Sequence, residues 1–97
     1  MDLGLSGRVA LVAAASSGLG LGAARALAGE GAHVSICARD PGRLGRAHAE
    51  LDGLGPGRVL STVVDVGDEA AVSDWVARTA TEFGALHIVV SNSPGVP

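Results

Sequence analysis

Residues 12–22 read VAAASSGLGLG, and this segment gives the clearest indication of the fold. It follows a short apolar run and precedes a segment rich in alanine and leucine, as the turn between a β-strand and an α-helix does. Small residues at such a turn let the backbone come close to a pyrophosphate, and the unpaired amides at the helix start favour its negative charge. Gly18, Gly20 and Ala23 complete the pattern GxGxx(G/A). Between a strand and a helix, this pattern predicts a dinucleotide-binding turn.

Four short apolar runs alternate with helix-patterned segments along the chain. The runs cover residues 8–14, 33–38, 58–64 and 86–91. Between them, apolar side chains recur every three or four positions, as in amphipathic helices. We expect these helices over residues 18–29, 43–54 and 68–83. Consecutive apolar residues within each run favour strands of a parallel sheet covered on both faces. The pattern predicts an α/β fold, a Rossmann-like doubly wound sheet with the element order βαβαβαβ and the strand order 3-2-1-4.

The predicted helices carry start and stop signals. Asp40 stands ahead of the second helix as a cap, and Gly84 follows the third helix as a stop. Leu54 is expected on the inward face of the second helix, and Trp75 is expected to pack beside the inward stripe of the third. That stripe is expected to contain Val72, Val76, Thr79, Ala80 and Phe83.

Composition excludes several classes of function. The seven basic residues are scattered arginines and the net charge is −3, so a nucleic-acid partner is not expected. No apolar run approaches the roughly 20 residues that cross a bilayer, so we expect no membrane partner and a cytoplasmic location. Cys37 is the single cysteine, which excludes an internal disulfide, and its apolar neighbours predict a buried thiol. His33, His48 and His87 lack the spacing of metal ligands, so no metal site is expected.

The end of the second strand indicates which cofactor binds. An acidic side chain at this place binds ribose hydroxyls, whereas a basic one accepts the 2′-phosphate of NADP. Arg39 is the first charged residue after the strand, and its planar guanidinium suits a phosphate. Asp40 is the rival, but its place before Pro41 makes it a candidate helix cap. The sequence therefore favours NADP, with NAD as the alternative.

Together these residues resemble the short-chain dehydrogenase/reductase family, in its classical branch, over the whole chain. The family's TGxxxGxG motif falls on residues 13–20, AAASSGLG, where alanine replaces both the threonine and the first glycine. Asp65 and Val66 match the family's adenine-binding pair, and Asn92 matches one residue of its NNAG motif. The resemblance implies that cofactor contacts come from Ser16, Ser17, Gly18, Leu19, Gly20, Arg39, Asp65, Val66 and Asn92.

The catalytic residues of that family have no counterpart in this chain. Members carry a serine on a fifth strand and a Tyr-xxx-Lys motif on the next helix, where the tyrosine moves a proton while nicotinamide moves a hydride. The chain contains no tyrosine and no lysine, so we expect it to be inactive by itself, with no catalytic residue of its own. Residues 1–97 are interpreted as the N-terminal part of a single NAD(P)-binding Rossmann domain whose catalytic part is absent.

The resemblance implies an NADP-dependent oxidoreductase that transfers a hydride between NADP(H) and a small carbonyl or alcohol substrate. The complete enzyme is expected to be a homo-oligomer. A second interpretation is a stand-alone nucleotide-binding or partner-docking module without catalysis, and a third is another Rossmann enzyme such as a methyltransferase. Sequence encoded after Pro97 separates the first two, because a serine followed by Tyr-xxx-Lys is expected only in the enzyme.

The strand order also predicts a weakness in the isolated chain. The fourth strand lies at the edge of the sheet, and one helix alone covers the second face, so side chains of residues 9–12 and 59–64 are expected to meet water. Several hundred Å² of uncovered apolar surface forfeits roughly 5 to 10 kcal/mol, which is comparable with the whole stability of a small domain. The isolated chain is therefore expected to dimerise, aggregate or unfold in part.

Overall fold

The computed structural model describes residues 4–13 and 18–90 of the chain, which form four strands and three helices in alternation. In chain order these are β1 (Val9–Val12), α1 (Gly18–Gly29), β2 (His33–Ala38), α2 (Pro41–Asp52), β3 (Val59–Val63), α3 (Glu69–Phe83) and β4 (Ile88–Val90). The element order is the predicted one, and α1 and β2 have the predicted bounds. The other three strands begin one or two residues later than predicted, although Arg8 and Arg58 still accept backbone hydrogen bonds from β2.

All four strands run parallel in one sheet, in the order β3-β2-β1-β4. Leu11 in β1 pairs with Ser35 of β2 on one side and with Val89 of β4 on the other. The predicted α/β class and strand order 3-2-1-4 are confirmed. The chain winds outward from β1 to β3 and then returns past β1 to β4, so its direction of winding reverses between β1 and β4.

Helices cover the two faces of the sheet unequally. On one face, α1 and α2 enclose the larger cluster of apolar side chains, which comprises Val12, Ala24, Ala28, Val34, Ile36, Ala38, Leu44, Ala47 and Leu51. On the other face, α3 lies over a smaller cluster of Leu11, Cys37, Val64 and Trp75. Cys37 is fully buried, as predicted. None of the three helices in this part of the chain is long and apolar enough to cross a membrane.

The expected exposure of the sheet is correct for its edges and wrong for its centre. All four residues of β1 are at most 2% exposed, because neighbouring strands and helices enclose this strand on every side. Exposure is concentrated on the two outer strands, where Val63 is 55% and Val89 is 70% exposed. Val64 was expected to be exposed but is buried beside Trp75 and Cys37.

The second helix begins and ends two residues earlier than predicted. Asp40 caps its start, because one side-chain oxygen accepts hydrogen bonds from the amides of Gly42 and Arg43 at 2.8 and 3.2 Å. Gly53 forms the C-cap and its amide bonds back into the last turn. Leu54 therefore lies outside the helix and is 43% exposed, which corrects the expectation that it faces inward.

The third helix faces the sheet through Trp75 and Thr79, its two buried residues. Trp75 thus lies in the centre of the inward stripe, which corrects its expected place beside that stripe and confirms its packing role. Val72 and Val76 are half-buried and pack against the same cluster. Gly84 ends the helix with φ +80°, the left-handed conformation in which glycine is favoured.

Candidate functional site

The candidate site lies at the carboxyl ends of the strands. In open α/β sheets, ligands bind in the crevice outside these ends, at the point where the winding reverses. The chain brings the predicted residues to this edge of the sheet from three turns, after β1, β2 and β3. The ends of β2 and β3 are tied by a backbone hydrogen bond from the Val64 amide to the Ala38 carbonyl, at 3.0 Å.

The turn after β1 leads directly into α1. The Ala13 amide donates to the Val90 carbonyl at 3.0 Å, so the chain leaves β1 alongside β4. Gly18 is the first residue of α1 and has φ +61°, a conformation that L side chains rarely adopt. No atom of the described residues lies within 4 Å of a Cβ built on Gly18, so this part of the chain leaves the space above it open. Leu19 is 82% exposed, whereas Gly20 is buried.

The start of α1 offers hydrogen-bond donors and positive potential to an anion. The first amides of an α-helix have no intrahelical acceptor, and the helix dipole concentrates positive potential there. No acidic side chain occupies the first turn of α1, so nothing within that turn competes for these amides. Ser16 and Ser17, which the sequence also predicts as contacts, lie outside the described residues.

Arg39 and Asp40 follow β2 side by side but have different surroundings. Arg39 is exposed, and within residues 4–13 and 18–90 its side chain makes no ion pair or hydrogen bond. The Asp40 carboxylate caps α2, and hydrogen bonds from the Arg43 and Gly42 amides hold its pKa below the ordinary value of 3.8. The Arg43 guanidinium lies 3.9 Å from the second Asp40 oxygen. Asp40 is therefore used as a helix cap, whereas Arg39 is unpaired among the described residues.

Asp65 and Val66 follow β3 in a tight turn that leads into α3. One oxygen of the Asp65 side chain accepts from the Gly67 amide at 2.9 Å, and its backbone carbonyl accepts from the Asp68 amide at 2.9 Å. The other carboxylate oxygen accepts no hydrogen bond in the described part of the chain. Val66 is 43% exposed. This turn presents a fixed carboxylate oxygen at the same sheet edge as Arg39.

The remaining candidates divide into those outside the site and those outside the described residues. Asn92 falls in residues 91–97, which are not described. His33 and His87 lie at the opposite, amino ends of the strands, where each Nδ1 accepts from a backbone amide at 2.9 Å. His48 of α2 forms a hydrogen bond with Ser61 of β3, on the face of the sheet that α1 and α2 cover. Across residues 4–13 and 18–90, no group of three His, Cys, Asp or Glu side chains could hold a metal ion.

One polar cluster was not predicted from the sequence. Ser35 of β2, Trp75 and Thr79 are joined by hydrogen bonds beneath α3. Two signals pointed to it: a serine inside an otherwise apolar strand, and a tryptophan four residues before a threonine on the inward stripe of a helix.

Comparison with known families agrees with this geometry. A family model described as short chain dehydrogenase matches residues 8–96. The chain belongs to the short-chain dehydrogenase family. The family resemblance predicted from the sequence is therefore confirmed, in a chain with alanines at positions 13 and 14.

This short-chain dehydrogenase chain has relatives in bacteria and fungi. It is 45% identical over 85 residues to ketoacyl reductase 1 of the granaticin polyketide synthase from Streptomyces violaceoruber, covering 88% of the chain and 31% of the relative. It is 36% identical over 89 residues to the short chain dehydrogenase/reductase dpmpG of Macrophomina phaseolina, covering 92% of the chain and 51% of the relative. The chain therefore spans about a third to a half of the length of these relatives.

Solved structures of the family share the fold closely. L-sorbose reductase from Gluconobacter frateurii, complexed with NADPH and L-sorbose, superposes with a TM-score of 0.91 at 38% identity, over 100% of the chain and 37% of that structure. NAD+-bound xylitol dehydrogenase superposes with a TM-score of 0.83 at 30% identity, over 88% of the chain and 32% of that structure. Because one of these structures holds NADPH and the other NAD+, the choice between NADP and NAD rests on the residues of this chain.

Proposed function

We propose that the chain forms the NADP-binding part of an oxidoreductase that transfers a hydride between NADP(H) and a small carbonyl or alcohol substrate. Membership of the short-chain dehydrogenase family supports the reaction class. L-sorbose reductase, a structural relative, is complexed with NADPH and a sugar ketone, which supports the substrate class. The observation that carries the preference for NADP is the pair after β2, where Asp40 is engaged as a helix cap and Arg39 is unpaired among the described residues.

The described residues fit a dinucleotide at three places. The space above Gly18, which the described residues leave open, and the first amides of α1, which have no intrahelical acceptor, suit the pyrophosphate. The Arg39 guanidinium suits the 2′-phosphate, since a bidentate pair with phosphate is among the stronger charged hydrogen bonds. The unbonded Asp65 oxygen suits the adenine amino group, and the Val66 amide suits a ring nitrogen. Ser16, Ser17 and Asn92 complete the proposed set of contacts.

In the proposed reaction, NADP(H) supplies or accepts the hydride, and the residues of this chain bind and orient it. Proton transfer in this family uses a tyrosine assisted by a lysine. Because the chain contains neither residue, we propose that these 97 residues alone bind NADPH but do not oxidise it. Incubation of the chain with NADPH and small ketones, followed at the absorbance of the reduced nicotinamide, tests this. Turnover by the purified chain would contradict it.

Substitution of Arg39 tests the proposed cofactor preference. Arg39→Asp removes the cation and places a repelling charge beside the 2′-phosphate. We expect NADPH affinity to fall by about 10- to 100-fold, the scale of one charged hydrogen bond of roughly 1.5 to 3 kcal/mol, with little change for NADH. Fluorescence titration with each cofactor measures both affinities.

Arg78→Asp is the matched control. Arg78 is also an exposed arginine, but it lies on α3, and its substitution changes the net charge by the same amount. We expect this variant to bind NADPH nearly as the wild type does. Equal losses for NADPH and NADH in Arg39→Asp, or no binding of either cofactor to the wild type, would refute the NADP assignment.

A further inference from the structure

A closed chain of hydrogen bonds joins α3 to β2 in the interior. The Trp75 indole Nε1 donates to Ser35 Oγ at 3.0 Å, and Ser35 Oγ lies 2.7 Å from Thr79 Oγ1. Thr79 Oγ1 donates to the Trp75 carbonyl at 2.8 Å. Since that bond uses the only hydroxyl proton of Thr79, the Ser35 hydroxyl must be the donor to Thr79. Every polar atom of these three side chains is thereby satisfied, and we call this set the indole network.

The indole network lies next to the turn that carries Asp65. Trp75 shares its apolar cluster with Val64, the residue immediately before Asp65. Val64 is in turn bonded through its amide to the end of β2, the strand that carries Ser35. On the other side of the turn, Asp68 caps the first turn of α3 and its amide donates to the Asp65 carbonyl. Both ends of the turn therefore rest on elements that the indole network fixes together.

We propose that Ser35, Trp75 and Thr79 are positioning residues that set the place of α3 on the sheet and so hold the Asp65 carboxylate in its adenine-binding position. Apolar packing alone would cover the sheet equally well, because the hydrophobic effect has no direction. Hydrogen bonds between buried groups are directional, and an unsatisfied buried donor is costly, so they select one arrangement of helix and strand. The proposal deepens the proposed function and rests on it for the role of Asp65.

Amide hydrogen exchange tests the positioning role without any ligand. Ser35→Ala removes the shared hydroxyl and leaves the indole N–H without its acceptor. We expect exchange at the Gly67 and Asp68 amides, which bond to Asp65, to accelerate by about tenfold, the scale of one buried hydrogen bond. The Gly42 amide, which bonds to Asp40 in the same way, is the internal reference and should not change.

Ser61→Ala is the matched control variant. It makes the same substitution in the same sheet and also removes a hydrogen bond between a strand side chain and a helix, here the one between Ser61 and His48 of α2. Because that bond lies on the opposite face, the Asp65 turn should keep its exchange rates. If Ser35→Ala does not fold, Trp75→Phe removes the indole donor together with part of the ring volume and keeps an aromatic ring in the cluster. Acceleration that is equal at Gly67 and Gly42, or absent from both, would overturn the proposal.

Cofactor analogues give a second readout that a purely structural role would not move. The hypoxanthine analogue of NADP lacks the adenine amino group, which is proposed to donate a hydrogen bond to Asp65. The wild-type chain should bind NADP more tightly than this analogue, and Trp75→Phe should reduce that preference while NADP affinity itself falls. Absence of the preference in the wild type would refute the role of Asp65 in the proposed function. A preference that is present in the wild type and unchanged in Trp75→Phe would refute the positioning role alone.

Discussion

The two ends of the sheet use their polar groups in opposite ways. At the amino ends of the strands, the ring nitrogens of His33 and His87 accept backbone amides, and Arg58 pairs with Glu82. At the carboxyl ends, Arg39 is unpaired among the described residues, and one Asp65 oxygen accepts no hydrogen bond there. These amino-end groups are satisfied within the chain, whereas Arg39 and one Asp65 oxygen have no partner among the described residues.

This difference separates residues that hold the fold from residues that are placed to bind. Substitution at the amino end should lower the stability of the chain, whether or not a ligand is present. Substitution at the carboxyl end should change ligand affinity more than stability, since exposed groups away from packed contacts contribute little to folding. The predictions below test this division, in order of the expected loss of stability.

Gly57 lies at the amino end and gives the largest expected effect. A Cβ at this position would overlap the Ala32 carbonyl group, which is backbone and cannot rotate away. We expect Gly57→Ala to lower the free energy of unfolding by about 3 kcal/mol, at the upper end of the usual cost of overpacking. Chemical denaturation followed by circular dichroism measures this loss.

Gly45→Ala is the control for Gly57→Ala. Gly45 is exposed on α2, and a Cβ there would meet nothing within 4 Å. Because alanine favours the helix, this variant should be more stable by up to about 1 kcal/mol. If Gly57→Ala unfolded at the same denaturant concentration as the wild type, the close approach at the amino end would be refuted.

Local signals in the sequence predicted the helices and strands. The differences found in the structure come from the helix cap at Asp40 and from contacts between residues that are distant in the sequence. The bounds of α1 and β2 followed from periodicity and from the glycines around them. The start of α2 was predicted late because the apolar stripe begins at Leu44, whereas the cap at Asp40 sets the first turn. The sequence shows Gly57 only as part of a GPG segment after the second helix, and it does not show that Ala32 lies against it.

The candidate site was predictable where a motif fixes a place in the fold. Gly18, Arg39 and Asp65 were located because each follows a strand, and parallel strands bring their carboxyl ends to one edge. The indole network was not predicted, because its bonds join β2 to α3 across 40 and 44 positions of the sequence. The sequence alone also does not show which of Arg39 and Asp40 is paired within the chain, although the Asp-Pro pair correctly indicated the cap.

Gly18 lies at the carboxyl end and gives an intermediate effect on stability. Its φ of +61° is unfavourable for any residue with a Cβ, so Gly18→Ala should lower the free energy of unfolding by about 1 to 2 kcal/mol. No atom of the described residues obstructs the new methyl group, so the fold should persist. The same methyl group enters the space proposed for the pyrophosphate, so NADPH affinity should fall as well.

Gly22→Ala separates these two effects of Gly18→Ala. Gly22 is an exposed residue of α1 with an ordinary helical φ, and its Cβ would meet nothing within 4 Å. This variant should be slightly more stable than the wild type and bind NADPH equally well. If Gly18→Ala lost stability but kept its affinity for NADPH, the turn after β1 would be structural only.

Asp40 is the carboxyl-end group that the fold does use, and it gives the smallest expected effect. Amides of α2 hold its pKa below 3.8, so the folded state favours the charged carboxylate. A carboxyl group whose pKa is lowered by folding contributes stability above the unfolded pKa of about 3.9, and that contribution disappears as the pH falls through the folded value.

Asp40→Asn keeps a side-chain cap but removes the charge. The wild type should therefore be slightly more stable than Asp40→Asn at pH 7, and the difference should shrink as the pH falls below about 4 and disappear once the pH is below the folded pKa of Asp40. Paired urea denaturation curves from pH 7 to pH 3 measure the difference, and other carboxylates cancel because both proteins carry them. The variant should also bind NADPH more tightly at pH 7, since a negative charge next to Arg39 is removed. A stability difference that persists unchanged to pH 3 would show that the Asp40 charge is not used by α2, and the contrast between Asp40 and Arg39 would lose its physical basis.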